Sequence, residues 1–365
     1  MFDVVAKPGA CRFDTFAEKY RINRGMSSRP SEDELIARFF APMAGEGGLA
    51  LKDDVARLEP PPGRDLVLTA DALVAGVHFF ADDPPDAIAR KSLRVNLSDI
   101  AAKGATPLGF LLSLCLPPDW SPEWLELFAS GLAADAKTFD CPLLGGDTVM
   151  TPGPLTLSIT ALGHVESGRM PVRSGARPGD RLYVSGTIGD AALGLQLRLG
   201  KGPALAETHR AALLDRYLLP HPRLALAPAM AFADAAMDVS DGLIGDLAKM
   251  LRASGVGGVV DLRRLPLSEA ARACLAADPQ AIEIAATGGD DYEVLAAVRV
   301  DAARAFEAAA GAIPVSAIGE VVAGPAELSV IGELCGRRHN AGGGNAGVFG
   351  DAGQRQLDGF YRAQR

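Results

Sequence analysis

Seven aspartates, Asp53, Asp54, Asp71, Asp99, Asp147, Asp238 and Asp241, stand at the ends of apolar runs. Four of them sit in the short segments Asn96-Leu97-Ser98-Asp99, Gly145-Gly146-Asp147-Thr148 and Met237-Asp238-Val239-Ser240-Asp241-Gly242. Carboxylates with no evident cationic partner attract cations, and Mg²⁺ carried in by a nucleotide suits such hard oxygen donors. Each acid alone has a plainer reading. Asp and Ser are favoured helix N-caps, which covers Asp99, Asp238 and Asp241, and Asp71 and Asp147 read as turn acids. The adjacent pair Asp53-Asp54 fits a cap or a solvated turn. It is their number that favours cation chemistry.

A Walker-type phosphate loop is absent. The nearest run, Gly194 to Gly200-Lys201-Gly202, has the wrong spacing and no Ser or Thr after the lysine. Phosphate handling would therefore fall to carboxylate-held metal ions and backbone amides at glycine turns. Arg173 and Arg177 lie in a polar, turn-rich break and read as solvated charge or as a phosphate clamp. His78 lies beside Phe79 and Phe80, where a packed ring competes with a functional one. Gly288-Gly289-Asp290-Asp291-Tyr292-Glu293 places two acids in a glycine turn suited to a cationic or hydroxylated group.

The elements that must position these residues follow from periodicity. A capping segment, Ser31-Glu32-Asp33-Glu34, precedes a helical pattern at Leu35, Ile36, Phe39 and Phe40. Strand patterns occupy 66–71, ending at Asp71, then 109–116, 143–144, 155–163, 181–185 and 294–298. Helical patterns occupy 87–98, ahead of Asp99, and 123–139, 190–195 and 242–251. The mixture predicts an α+β fold rather than a strictly alternating parallel sheet. At 365 residues the chain suits two domains. The boundary falls near 165, giving 28–165 and 166–365, with 1–27 an extension outside the fold. Glycines from 336 to 350 read as a mobile loop before a last short element around Phe360.

Hydrophobic residues make up 48% and charged ones 22%, a globular composition. A net charge of -9 offers no general grip on nucleic acid. Five scattered cysteines without C-x-x-C spacing read as reduced thiols, and no apolar run approaches the roughly 20 residues of a membrane span, so a cytoplasmic protein is expected.

Taken together, DALVAGVHFF (71–80), VNLSDIAAKGATP (95–107), GGDT (145–148), RSGARPGD (173–180), MDVSDGLIGDL (237–247) and GGDDYEV (288–294) resemble the thiamine-monophosphate kinase family, from about residue 31 to 361. The NLSDxAAxGA and DxSDGL motifs are shared with the wider superfamily of aminoimidazole ribonucleotide synthetase and selenophosphate synthetase. Gly-x-His-Phe after the strand acid and the GG-acid-DYE turn point to the thiamine branch. The resemblance implies two α/β domains, a homodimer formed through the mixed N-terminal sheet, ATP as co-substrate with several Mg²⁺ ions, and phosphorylation of thiamine monophosphate to thiamine diphosphate. It places Asp54, Thr69, Ala70, Asp71, Asp99, Asp147, Asp238 and Asp241 on metal ligands, with Asp99, Asp147 and Asp241 as catalytic acids. It places Gly146, Asp147, Arg173 and Ser240 on ATP, and His78, Asp290 and Phe360 on thiamine monophosphate. Another ATP-dependent synthetase of the superfamily, or a nucleotide- or thiamine phosphate-binding regulator without turnover, would carry similar motifs. This chain departs from the family pattern at Ala50-Leu51-Lys52-Asp53-Asp54 (in place of Gly-x-Gly-Asp-Asp), at Ala70 (Thr), Lys103 (Met) and Asp290 (Glu), and in the tail, where Phe360-Tyr361-Arg362 lacks the customary His-Phe.

Overall fold

The computed structural model describes residues 30–332 and 346–349. The expected N-terminal extension, Phe360 and most of the glycine-rich stretch lie outside the described residues. Two sheets follow one another along the chain. Strands β1 (Arg64–Val74), β2 (Thr106–Leu116), β3 (Leu143–Met150) and β4 (Thr156–Glu166) form the first, in the order β1-β4-β2-β3. Strand β4 pairs antiparallel with β1 and β2, and β2 runs parallel to β3, so the sheet is mixed. Helices α1 (Pro85–Ala102) and α2 (Pro122–Thr138) cover one face. Their Leu93, Leu97, Leu125 and Phe128 pack with Leu73, Leu112, Leu114 and Ile159 of the strands.

The second sheet holds β5 (Arg181–Ser185), β6 (Ala233–Asp238), β7 (Gly257–Asp261), β8 (Val294–Val298), β9 (Val315–Val322), β10 (Leu328–Ile331) and β11 (Ala346–Phe349). Their order is β11-β10-β7-β9-β5-β8-β6, antiparallel throughout except between β10 and β7. The helices used below are α3 (Asp190–Arg198), α4 (Glu207–Leu218) and α5 (Leu243–Ser254). Leu243, Leu247 and Leu251 of α5 recur at helical spacing and pack on Leu182, Val184 and Val260.

Several local expectations shift. Ser31 and Glu34 do form a reciprocal capping box: the Ser31 N–H donates to Glu34 Oε2 (2.8 Å) and the Glu34 N–H to Ser31 Oγ (3.3 Å). Strand β1 runs on to Val74, so Asp71 lies inside it and does not end it. Helix α1 continues through Asn96, Ser98 and Asp99, so Asp99 sits in its last turn rather than at a helix start. Ser98, of a capping residue type, and Asn96 are buried and bond to neighbouring segments instead. The Gly145-Gly146-Asp147 run is strand. Residues 346–349, inside the stretch expected to be a loop, pair with β10. Cys115, Cys141 and Cys274 are free thiols, and burial pushes Cys141 up to about 12. Among the described residues no helix is long and apolar enough to cross a membrane.

Candidate active site

Asp71 and Asp99 meet because α1 lies on β1. Asn96, fully buried, accepts the Asp71 N–H on its side-chain oxygen (3.1 Å) and donates its amide to Ser92 O (3.0 Å), fixing helix against strand. Thr69, one alternation before Asp71 on the same face, donates its hydroxyl to Asp99 Oδ2 at 2.5 Å. Asp238, at the end of β6, faces them from the second sheet. It is 6% exposed, and burial, followed by the charge of Asp99, pushes it up to about 8, with Asp71 and Asp246 adding and a Ser98 hydrogen bond opposing. Asp71 is likewise raised, first by burial and then by Asp99. An acid in the last turn of a helix also opposes the helix dipole. Asp99 thus disfavours ionisation of both Asp71 and Asp238, and the three form an open acidic wedge that a cation would stabilise.

The second side of the wedge is a loop with no freedom. Asp246, fully buried on α5, accepts the N–H groups of Ser240 (3.0 Å) and Asp241 (2.9 Å) on Oδ2 and takes Lys249 Nζ on Oδ1 (2.8 Å). Asp241 is ion-paired to the same Lys249 and stays about two-fifths exposed. Gly242 has φ +103, and a Cβ there would lie 2.3 Å from Thr287 O, so only glycine lets the loop pass. Arg173 is exposed beside Lys103. Burial, then Arg173, lowers the Lys103 ammonium, with Asp99 and Asp238 opposing, and Lys103 Nζ donates to Ala236 O (2.6 Å).

The Gly288–Glu293 turn is clamped to that loop. The Asp290 N–H donates to Ser240 O, the Tyr292 N–H to Val239 O, and the Val239 N–H to Glu293 O. Asp290 (φ 72) and Tyr292 (φ 52) both hold left-handed backbone, strain that the surrounding contacts must sustain. The buried Glu293 supplies much of that support. It accepts from Ser185 Oγ (2.6 Å), Arg216 (3.0 Å) and Arg223 (2.5 and 2.7 Å). Asp291 receives the Gly189 N–H (2.7 Å). The Tyr292 phenol is raised well above its ordinary value by burial and then by Asp290, Asp238, Asp71 and Asp241. One ring thus neighbours both the acidic wedge and the substrate-type turn.

His78 is exposed, with its Nδ1 accepting the Val74 N–H at 3.0 Å. Desolvation, foremost, and nearby Lys91 hold it below the ordinary imidazole value, with Asp290 opposing. The neutral ring then carries its proton on Nε2, a donor beside Asp290.

Other expected residues lie apart. From Asp71 the pairing runs Asp71↔Ile159, Ile159↔Leu112, Leu112↔Gly146, so β3 is three strands away, about 14 Å. Asp147 pairs with Ser113, which pairs with Ser158 and through it Ala72, all on the face opposite Asp71. Ala70 also turns its side chain to that open face, leaving only its carbonyl as a donor. Asp54 is exposed in a bend whose preceding turn leans on β3, with the Gly45 N–H on Leu143 O. That turn holds Leu49, Ala50 and Leu51 at φ 50, 58 and 54, left-handed values for which glycine is the usual residue. Among the described residues no three His, Cys, Asp or Glu side chains form a ready cation cluster. Asn96, Asp246, Lys91 and Tyr292 were not singled out from sequence, although Asn96 and Tyr292 stand inside the NLSD and DYE motifs.

Residues 52–165 match the AIR synthase related protein N-terminal domain and 177–332 the corresponding C-terminal domain. A thiamine-monophosphate kinase of Caulobacter vibrioides is 48% identical over 303 residues, 81% of this chain and 85% of that protein. The crystal structure of a thiamine-monophosphate kinase from Stenotrophomonas maltophilia superposes with a TM-score of 0.71 at 40% identity, covering 78% of this chain and 91% of that one. A structure of AaThiL complexed with AMPPCP and TMP gives 0.68 at 32% identity, covering 76% and 87%. The chain belongs to the thiamine-monophosphate kinases, a family of kinases built from the two AIR synthase related domains.

Proposed function

We propose that this chain transfers the γ-phosphoryl group of ATP directly to the phosphate of thiamine monophosphate, giving ADP and thiamine diphosphate. The carrying observation is that the Asp290 turn is hydrogen-bonded to the Val239–Ser240 loop after Asp238, while Tyr292 O takes the Ser98 hydroxyl beside Asp99, which supports phosphate handling and acceptor recognition as parts of one site. The acceptor phosphate has a second pKa near 6 and is already anionic at neutral pH, so no general base is required. A phosphate oxygen forms the new P–O bond as the bond to the ADP oxygen breaks, and no phosphoenzyme intervenes. Repulsion between two polyanions is the obstacle. Mg²⁺ bound at Asp71, Asp99 and Asp238, with Thr69, Ala70 and Asp241 contributing, would offset that repulsion and align the phosphates. The all-oxygen donor set and the mutual strain of the three carboxylates fit such an ion. Arg173, Ser240 and the amide of Gly146 are proposed to hold the nucleotide, and His78, Asp290 and Phe360 the acceptor. In this reading residues 28–165 supply Asp71, Asp99, Gly146 and His78, and residues 166–365 complete the site with Asp238, Asp241, Arg173, Ser240, Asp290 and Phe360. Incubating the protein with ATP, Mg²⁺ and thiamine monophosphate should yield thiamine diphosphate. ADP alone, or an amide or carboxylate product with another acceptor, would favour a different activity.

Because Asp54 and Asp147 lie across the sheet from the wedge, we propose that a second copy supplies them. The face opposite α1 and α2 exposes Leu66, Leu68 and Leu111 at 44%, 60% and 38%, an apolar surface suited to pairing. The proposed setting is the cytoplasm.

Two measurements bear on the site. Replacing His78 by Ala should raise KM for thiamine monophosphate about tenfold or more, while KM for ATP and the melting temperature stay nearly constant, because the ring is exposed and water can take over the Val74 N–H. Joint loss of both affinities with a lower Tm would mark His78 as structural.

The second concerns protons. Asp238, pushed up to about 8, must ionise before it can ligate, so half-saturating Mg²⁺ should rise as pH falls from 8 to 6, by up to roughly tenfold per unit for one displaced proton. A pH-independent Mg²⁺ requirement would remove Asp238 from the ligand set.

A further inference from the structure

Lys91 is placed where no stability argument needs a charge. It lies on the buried face of α1, 3% exposed, with its ammonium 4.3 Å from the centre of the Tyr217 ring. Nζ donates to Tyr217 O (3.1 Å) and to Asp290 Oδ2 (2.8 Å). Asp290 keeps a third of its side chain open. Its backbone is left-handed and clamped to the Ser240 loop, so the carboxylate cannot follow a substrate by moving its main chain. Because Asp290 stays partly open to water, its charge would not be stranded in the interior if the ammonium were removed.

We propose that Lys91 is a positioning residue for the acceptor: it pins Asp290 through Oδ2, so that Oδ1, which the Tyr292 hydroxyl reaches only at 3.5 Å, can accept from an amino group of the substrate beside the Nε2–H of His78. The inference rests on the thiamine monophosphate reading. It adds a polarity to the site. An ammonium under this end repels a cationic ring, so the neutral amino-bearing ring of the acceptor enters here, and the cationic ring and phosphate lie toward the acidic wedge. It also fits the shorter acid at 290, whose reach is set by Lys91 instead of by an extra methylene.

The test is a double-mutant cycle on the full-length protein with Lys91→Met, Lys91→Arg, Asp290→Asn and Lys91→Met/Asp290→Asn. Steady-state constants for both substrates and the melting temperature are read for each. Lys91→Met should raise KM for thiamine monophosphate at least tenfold, with KM for ATP and Tm nearly unchanged, and Lys91→Arg should recover part of the loss. Because Lys91 acts through Asp290, the double variant should be no worse than Asp290→Asn alone. Additive losses would mean that Lys91 touches the substrate itself, and an unchanged KM in Lys91→Met would remove it from recognition; either overturns the proposal. A fall in Tm with both KM values shifted would make it structural and overturn it too. A wild-type protein that forms no thiamine diphosphate would sink the functional reading first, an outcome distinct from an active wild type indifferent to Lys91.

Discussion

Asp99→Asn should abolish most turnover while leaving the protein as stable as before or slightly more so. The asparagine keeps the shape and can still accept the Thr69 hydroxyl through its carbonyl oxygen. It removes a charge that raises both Asp71 and Asp238 and that opposes the dipole at the end of α1. If Asp99 holds a cation against the transferring phosphate, losing it costs about 4 kcal/mol of transition-state stabilisation, or roughly a thousandfold in kcat. Opposite signs for activity and stability are the signature. A helix-end acid with only a structural role would change neither by much, so near-wild-type kcat at saturating Mg²⁺ would end the metal-ligand assignment.

The parts of this site legible in the sequence are those with local grammar. Short apolar runs located β2 and β8, and acids beside Ser and Gly or at the end of a strand pattern singled out Asp71, Asp99 and Asp238 before any packing was known. Local grammar also misled. Ser98 and Asp99 carry helix-start chemistry, yet they end a helix: Ser98 donates to Tyr292 O, and the neighbouring Asn96 accepts the Asp71 N–H on its side-chain oxygen. Lys91 was invisible for a related reason. Its partners Tyr217 and Asp290 are 126 and 199 residues away, and nothing in the period of α1 encodes them. On that helix and its C-cap, Lys91, Arg94, Ser98 and Lys103 all bond to residues beyond 216, so this element docks the second half of the chain. Asp246 lay hidden inside a motif as an ordinary helix acid, although it shapes the Ser240–Asp241 loop. The substituted turn before Asp53 was visible as a missing glycine pattern, and Leu49, Ala50 and Leu51 there hold left-handed backbone without glycine.

Mixing two inactive variants should restore activity. Asp147 lies three strands from Asp71 and on the opposite face, so a single chain cannot bring both to one phosphate without rebuilding the sheet. If the open face pairs with a second copy, each site combines Asp99 from one chain with Asp147 from the other. Asp99→Asn and Asp147→Asn should each be nearly dead as pure proteins. After equal amounts are unfolded together and reassociated at random, half the dimers are mixed, and each of those has one site carrying both substitutions and one carrying neither. About a quarter of wild-type activity should return. A companion variant, Leu68→Asp, places a charge on a side chain that is 60% exposed in the lone chain and proposed to be covered in the dimer. It should sediment near 37.9 kDa where the wild type sediments near twice that, and it should lose turnover with little loss of secondary structure. No recovery from the mixture, or a fully active Leu68→Asp monomer, would confine the site to one chain. Asp147 would then have to act away from the wedge, as an acid of the open edge strand.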